Sequence, residues 1–146
     1  MKHFYRDGLK FSCRRCSRCC RYDEGYVFLS RRDLQKIAKF FNINQEEVVE
    51  KYCRKVSLNG ICRLSLKEKA NKDCILWENG GCTVYKQRPL QCRSFPFWAH
   101  HLSDPETWNA LEAECPGVNS GKVHTENEIN RWLRKRRQEP FLDPEK

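Results

Sequence analysis

The stretch CRRCSRCC at residues 13–20 carries four thiols within eight positions, namely Cys13, Cys16, Cys19 and Cys20. Six further cysteines follow along the chain, at Cys53, Cys62, Cys74, Cys82, Cys92 and Cys115. No local helix or strand can bury so many closely spaced thiols, because only one face of either element turns toward a core. The spacing instead predicts that thiolates converge on metal ions.

Length and cysteine usage fit one domain in a reducing compartment. A chain of 146 residues has the length of a single domain. Its first residues, Met1 to Asp7, contain no apolar segment of the kind found in a secretory signal, and no stretch has the roughly 20 apolar residues of a transmembrane helix. We therefore expect a cytoplasmic protein without membrane association, whose thiols bind metal rather than form disulfides.

The formal net charge of +9 counts every thiol as neutral. If eight thiolates held two divalent ions, the charge would fall to about +5. Arginines are interleaved with the first cysteines, where cations lower thiol pKa values and offset thiolate charge; they are Arg14, Arg15, Arg18 and Arg21. The remaining basic excess is a weak indication of an acidic partner such as nucleic acid, and the identity of a protein partner is open.

Two helices are predicted after the cysteine run. A short extended stretch, Tyr26 to Leu29, leads into Ser30-Arg31-Arg32-Asp33, which has the pattern of a capping box. The apolar residues that follow have helical spacing, at Leu34, Ile37, Ala38 and Phe41. Asn44 caps a second helix, whose buried side continues into Cys53. A buried core thiol is at least as good an interpretation of Cys53 as a metal ligand.

The clearest hairpin joins Cys74-Ile75-Leu76-Trp77 to Gly81-Cys82-Thr83-Val84-Tyr85. A two-residue type I′ turn at Asn79-Gly80 would pair Trp77 with Cys82 and place Cys74 on the opposite face. A three-residue loop with a G1 bulge at Gly80 would instead pair Leu76 with Cys82, so that Cys74 and Cys82 become diagonal neighbours on one face. We favour the bulge, because Gly80 suits the left-handed position that it requires.

Capping and breaker residues predict the other elements. Residues 1–12 read as an arm, and residues 54–73 as an irregular strand followed by a charged loop. Arg88-Pro89 begins a turn or short helix that carries Cys92, and Asp104-Pro105 opens a helix that stops at Cys115-Pro116-Gly117. Thr125 caps a C-terminal helix within 119–146. The expected fold is a single small α+β domain over 1–146, mainly helical with a short β-hairpin and a metal-stapled irregular core.

Two successive Cys-x-x-Cys steps, from Cys13 through Cys16 to Cys19, resemble the triplet that bacterial ferredoxins wrap around an iron–sulfur cluster. A remote cysteine followed by proline completes a cluster in those proteins, and Cys115-Pro116 offers that arrangement here. The same two-residue turn also binds zinc in tetrahedral knuckles, so iron–sulfur and zinc both remain open. Cys20 directly follows Cys19, which suits ligands for two centres or one ligand beside one structural thiol.

These residues resemble the YkgJ-type cysteine-cluster family (CxxCxxCC), described as a zinc- or iron-chelating domain and as an Fe–S-cluster protein. The resemblance extends over about 11 to 118 and includes DCILW at 73–77, GCTVY at 81–85, RPLQCRSFPF at 88–97 and CPG at 115–117. It implies that the metal ligands or near-ligands are Cys13, Cys16, Cys19, Cys20, Cys74, Cys82, Cys92 and Cys115. It leaves Cys53 and Cys62 outside the common pattern. The first step here spans two residues where three is common in the family, so either Cys13 or Cys16 takes the first ligand role.

Several other side chains have two interpretations. His100 and His101 follow the aromatic segment and are favoured as surface or hydrogen-bonding residues, since eight thiols already suffice. Arg88 and Arg93 flank Cys92, where they either donate hydrogen bonds toward a cluster sulfur or form salt bridges. The basic run Arg134 to Arg137 either binds phosphates or is an exposed helix end.

Three functions are compatible with the sequence. The favoured one is a cytoplasmic metal-binding protein that holds an iron–sulfur cluster through cysteine thiolates and has a redox, sensing or partner-maturation role. The second is a zinc-stapled module that binds protein or RNA without catalysis. The third is an accessory part of a protein-modifying enzyme, since some larger proteins resembling this family are described as protein lysine methylases. No phosphate loop, dinucleotide loop or nucleophile elbow occurs, so no catalytic residue is predicted.

Overall fold

The structure, a computed structural model, describes residues 3–13, 26–78 and 81–145. These residues form two compact units. The first unit takes its described residues from 3–13 and 94–138, and the second takes them from 26–78, 81–93 and 139–145. Division into compact units is not division into independently folding domains, and the single domain over 1–146 stays a prediction.

The first unit contains a two-stranded antiparallel sheet and two helices. Strand β1 (Leu9–Phe11) pairs with β6 (Val118–His124), and the register shifts between Lys10 and Phe11. The helices are α4 (Pro105–Ala110), followed by a 3-10 turn over Leu111–Ala113, and α5 (Glu126–Gln138). The core of this unit is half aromatic and half aliphatic and consists of Tyr5, Phe97, Leu102, Trp108, Val118 and Ile129.

The second unit contains two helices, two hairpins and a short helix near the unit boundary. The elements are α1 (Arg31–Phe41), α2 (Gln45–Tyr52), β2 (Cys53–Leu58), β3 (Ile61–Leu66), β4 (Trp77–Glu78), β5 (Gly81–Cys82), a 3-10 turn over Tyr85–Gln87 and α3 (Leu90–Ser94). Its core is aliphatic and consists of Leu29, Leu34, Ile37, Ala38, Val48, Cys53, Leu64, Leu66, Leu76 and Val84.

The predicted capping box at the start of α1 is confirmed. The Ser30 hydroxyl accepts a hydrogen bond from the Asp33 amide at 3.1 Å, and the Asp33 carboxylate accepts one from the Ser30 amide at 2.9 Å. Asn42 ends the helix in the left-handed conformation, with φ of 55°. Asn44 caps α2 through the amide of Glu47 at 2.9 Å, as its position in the sequence predicts.

The strand predicted within 54–73 is present as β3 (Ile61–Leu66), but its expected irregularity is wrong. Strands β2 and β3 form a regular antiparallel hairpin with six paired positions, from Cys53 opposite Leu66 to Leu58 opposite Ile61. Its two-residue turn consists of Asn59 and Gly60, with φ of 51° and 78°. Positive φ at both positions is typical of the type I′ turn, which matches the twist of the strands it joins.

The bulge favoured for the second hairpin is also wrong. Trp77 lies opposite Cys82, and Glu78 lies opposite Gly81. This is the register expected for a two-residue loop, whose residues 79 and 80 lie outside the described part of the chain. Cys74 precedes the hairpin and forms an isolated antiparallel β-bridge with Glu68.

The α+β class is confirmed, but the β content differs from the single short hairpin that was expected. Three two-stranded antiparallel sheets occur among the described residues. Strand β1 lies in the segment predicted as an arm, and β6 lies largely in the region predicted as a C-terminal helix and tail. The predicted helix after Asp104 is present, with Pro105 at its first position, and Arg88-Pro89 precedes α3. Within the described residues, no helix combines the length and apolar composition needed to cross a bilayer.

Candidate metal centre

The predicted ligands are distributed over both units and the undescribed run. Cys16, Cys19 and Cys20 lie outside the described residues. Cys13 and Cys115 belong to the first unit, and Cys74, Cys82 and Cys92 belong to the second. No disulfide joins any two cysteines of the described chain. No group of three or more potential metal-binding side chains is found there either, so the eight-thiol set stays a prediction.

The first unit brings the start of the cysteine run beside the remote Cys-Pro pair. The amide of Ser12, the residue before Cys13, donates a hydrogen bond to the carbonyl of Gly117 at 3.2 Å. Gly117 lies two residues after Cys115, and a further bond joins the amide of Val118 to the Cys115 carbonyl at 3.1 Å. Cys13 and Cys115 are thus attached to neighbouring, hydrogen-bonded backbone segments.

Two glycines permit this close approach to Ser12. A methyl group on Gly117 would overlap the Ser12 carbonyl oxygen, and one on Gly121 would overlap the Ser12 hydroxyl. The hydroxyl in turn accepts a hydrogen bond from the amide of Lys122 at 2.8 Å. This contact is not evident in the sequence, because Ser12 and Gly117 are 105 positions apart and neither residue identifies the other as its partner. The Cys115-Pro116-Gly117 motif is the only sequence feature that points to this region as a partner of the cysteine run.

In the second unit, the helix that carries Cys92 is attached to the segment that follows the cysteine run. The Asp33 carboxylate, fully buried, accepts a hydrogen bond from the Leu90 amide at 3.0 Å. The amide group of Gln91 accepts from the Phe28 amide at 3.0 Å and donates to the Tyr26 carbonyl at 2.7 Å. The residue next to Cys92 is therefore hydrogen-bonded to backbone that begins six positions after Cys20.

Cys74 precedes the small hairpin, Cys82 lies on its strand β5, and both are half-buried. Both pack against the aliphatic core of the second unit. The amide of Trp77 donates to the Cys74 carbonyl at 2.9 Å, which forms a turn before β4. Thr83 donates to the Leu76 carbonyl from its amide and from its hydroxyl, each at 2.7 Å. Backbone hydrogen bonds therefore fix the segments on which both thiols lie.

Cys53 is a core thiol, in agreement with the more conservative interpretation of the sequence. Its side chain is only 3% exposed in the aliphatic core. Burial raises the pKa of this thiol to about 12, although the charge of Lys67 acts in the opposite direction. Because metal ligation requires the thiolate, Cys53 is poorly suited to be a ligand. Cys62 lies half-buried on β3, opposite Ser57.

The two histidines after the aromatic segment differ in burial. His100 is exposed, whereas His101 is buried and donates a ring hydrogen bond to the Pro96 carbonyl at 2.9 Å. The His101 ring also stacks on Trp98, with 4.7 Å between ring centroids. Burial lowers the pKa of His101. These contacts fit the interpretation of His101 as a hydrogen-bonding residue.

The known proteins that this chain resembles include two from an archaeon. The uncharacterized protein MJ0661 of Methanocaldococcus jannaschii is 37% identical over 95 residues, which cover 64% of this chain and 48% of the relative. The uncharacterized protein MJ0939 of the same organism is 26% identical over 122 residues, covering 80% of this chain and 40% of the relative. The chain thus spans less than half the length of either relative. No solved structure matches it.

A family model named CxxCxxCC matches residues 12–116 and is described as "Putative zinc- or iron-chelating domain". The matched region begins one residue before Cys13 and ends one residue after Cys115, so it contains all eight predicted ligands. Because the model matches well over half of the chain, this protein belongs to the CxxCxxCC family of zinc- or iron-chelating domains.

Proposed function

We propose that this protein binds an iron–sulfur cluster through cysteine thiolates. The observation that carries the proposal is the family match over residues 12–116, which spans the whole set of predicted ligands. Thiolates are soft ligands that suit zinc and iron–sulfur clusters, so the donor set fits such a cofactor. The ligands are drawn from Cys13, Cys16, Cys19, Cys20, Cys74, Cys82, Cys92 and Cys115. The high pKa and burial of Cys53 support leaving that thiol out.

Iron–sulfur is favoured over zinc by the overlapping Cys-x-x-Cys steps and by the remote Cys-Pro pair. The hydrogen bond between Ser12 and Gly117 fits either metal and supports only a shared centre for the two thiols, because it connects the backbone next to Cys13 with the backbone next to Cys115. The cluster would supply reversible electron transfer or oxidant sensitivity when bound. A redox, sensing or partner-maturation role with a protein partner in the cytoplasm follows as part of the same proposal.

Metal analysis of anaerobically purified protein tests the proposal. We expect brown protein that contains iron and acid-labile sulfide and loses its visible absorbance in air. Colourless protein with stoichiometric zinc would instead support a structural zinc site in a protein- or RNA-binding module. Protein without either metal would contradict both.

A matched pair of cysteine variants tests the ligand set. Cys115→Ala should lower the metal content, because it removes a predicted ligand. Cys53→Ala should retain the wild-type metal content, because it removes only a core thiol. Equal metal contents in the two variants would contradict the proposed division between ligands and core thiols.

A further inference from the structure

Two arginines flank Cys92, and their side chains have different environments. Arg88 is engaged with Tyr85: its Nε donates to the Tyr85 carbonyl at 3.0 Å, and its guanidinium lies 4.0 Å from the centroid of the Tyr85 ring. Cation–π contact and hydrogen bond together account for the orientation of this side chain. Arg88 therefore has a structural role on the 3-10 turn before α3.

Arg93 follows Cys92 directly and retains an unused donor. Its Nε donates to the Arg88 carbonyl at 3.0 Å, which fixes the plane of the guanidinium. The Nη2 atom is buried and has no hydrogen-bond partner among the residues that the structure describes. Nor does Arg93 form an ion pair with any carboxylate in the part of the chain that the structure describes. The salt-bridge interpretation of Arg93 therefore has no support among these residues.

A buried guanidinium N–H without an acceptor is energetically costly. Leaving a buried donor unpaired costs about 1–3 kcal/mol, and more when the group is charged. Buried polar groups in folded proteins almost always have a partner, so an orphan indicates an acceptor such as a water or an ion. Arginine has five donors and no acceptor capacity, so the missing group must be an acceptor, and a negative one would also balance the charge.

We propose that Nη2 of Arg93 donates a hydrogen bond to a sulfur atom of the metal centre that Cys92 helps to bind, so that Arg93 acts as a positioning residue. The inference rests on the proposed function. Thiolate and cluster sulfur atoms carry negative charge and accept hydrogen bonds from such donors. The positive guanidinium would stabilise the more reduced, more negative state of a cluster. It would also hold the Cys92 side chain in its ligating orientation.

The test compares Arg93→Met, Arg93→Lys and the control Arg88→Met, each purified anaerobically with the metal that wild type carries. Metal affinity, measured by competition with a chelator, should fall about 10–100-fold in Arg93→Met. With an iron–sulfur cluster, the reduction potential of Arg93→Met should also become more negative. Arg93→Lys keeps the charge but not the planar fork, so it should recover part of both properties. Arg88→Met should match wild type in both.

Two outcomes separate this inference from the function on which it rests. Wild-type protein that contains no metal would overturn both. Metal-loaded wild type whose affinity and potential are unchanged in Arg93→Met would overturn the inference alone, since a water would then be the acceptor. Should Arg93→Met fail to fold, judged by its circular dichroism, the comparison moves to Arg93→Lys. If Arg93→Lys had the metal affinity and the reduction potential of wild type, the role assigned to the planar guanidinium would also be overturned.

Discussion

At the scale of single residues, Gly117 lies too close to the Ser12 backbone to accommodate a side chain. Gly117→Ala would place a methyl group against the Ser12 carbonyl oxygen and within 3.3 Å of the Phe11 ring. Because backbone must then move, we expect the variant to lose about 1–3 kcal/mol of unfolding free energy and to retain less metal. Urea denaturation and metal analysis measure the two effects.

Gly81→Ala provides the matched control for this substitution. A methyl group added at Gly81 meets no atom of the described part of the chain within 4 Å, although the residue lies directly beside Cys82. We therefore expect wild-type stability and metal content in the control. If Gly117→Ala were as stable as Gly81→Ala, the tight approach between Ser12 and Gly117 would not exist in solution.

A second prediction at this scale concerns Cys53 and the pH dependence of the free energy of unfolding. The folded-state pKa of about 12 lies above the ordinary value of 9.0, so the neutral thiol is favoured in the folded protein. Its contribution to stability is therefore complete below about pH 9 and is lost as the pH rises toward 12. We expect urea midpoints to fall more between about pH 8 and about pH 10 in wild type than in Cys53→Ala. Equal falls would contradict the raised pKa.

At the scale of elements, Asp33 connects the start of α1 with the start of α3. One carboxylate oxygen accepts from Ser30 at 2.9 Å and the other accepts from Leu90 at 3.0 Å. Asp33→Asn would replace one acceptor with an NH₂ donor facing a backbone N–H. We expect it to cost about 1–3 kcal/mol, measured by urea denaturation, and to loosen the helix that carries Cys92.

Asp104→Asn is the control for this element prediction. The Asp104 side chain caps α4 by accepting a hydrogen bond from the Thr107 amide at 2.7 Å. An amide oxygen can accept that bond equally well, and Asn is as good an N-cap as Asp. The control should therefore denature at the wild-type midpoint. A comparable loss in both variants would indicate that carboxylate charge, rather than the double acceptor role of Asp33, determines the result.

Elements with local signals were predictable, and those formed by distant contacts were not. The boundaries of α1 and α2 follow from Ser30 and Asn44, whose side chains bond to amides three positions away. The β2–β3 hairpin also had a local signal, since Asn59-Gly60 is a typical type I′ turn, but the surrounding charged sequence obscured it. The pairing of β1 with β6 joins Leu9 to His124, and no short-range pattern identifies such a partner.

The candidate site follows the same distinction. The spacing of Cys13 to Cys20 identifies a thiol cluster because metal-binding turns are local. Periodicity indicated a core position for Cys53, and the family resemblance left it outside the predicted ligands. The environment of Nη2 of Arg93 depends on how distant segments pack, so the sequence alone could only name Arg93 as a candidate. The bond between the Asp33 carboxylate and the Leu90 amide depends on such packing too, and nothing in the sequence indicated it.

At the scale of the whole molecule, the basic charge and the thiol content are linked. The formal net charge of +9 treats all ten cysteines as protonated. A divalent ion held by four thiolates adds two positive charges and displaces four protons, so each such site lowers the net charge by two. The basic excess therefore offsets the negative charge that metal loading introduces, and charge alone is weak evidence for a nucleic-acid partner.

Proton release during metal loading is the measurable consequence of this link. Apo protein titrated anaerobically with Zn²⁺ in weak buffer at about pH 6.5, where ordinary thiols are protonated, should release about four protons per ion. Cys53→Ala should give the same ratio, because the buried thiol is outside the predicted ligand set, whereas Cys92→Ala should release fewer. A ratio of about two, unchanged in Cys92→Ala, would mean that histidines or carboxylates hold half of the ion's coordination sphere. Ligation of each ion by four thiolates would then be untenable.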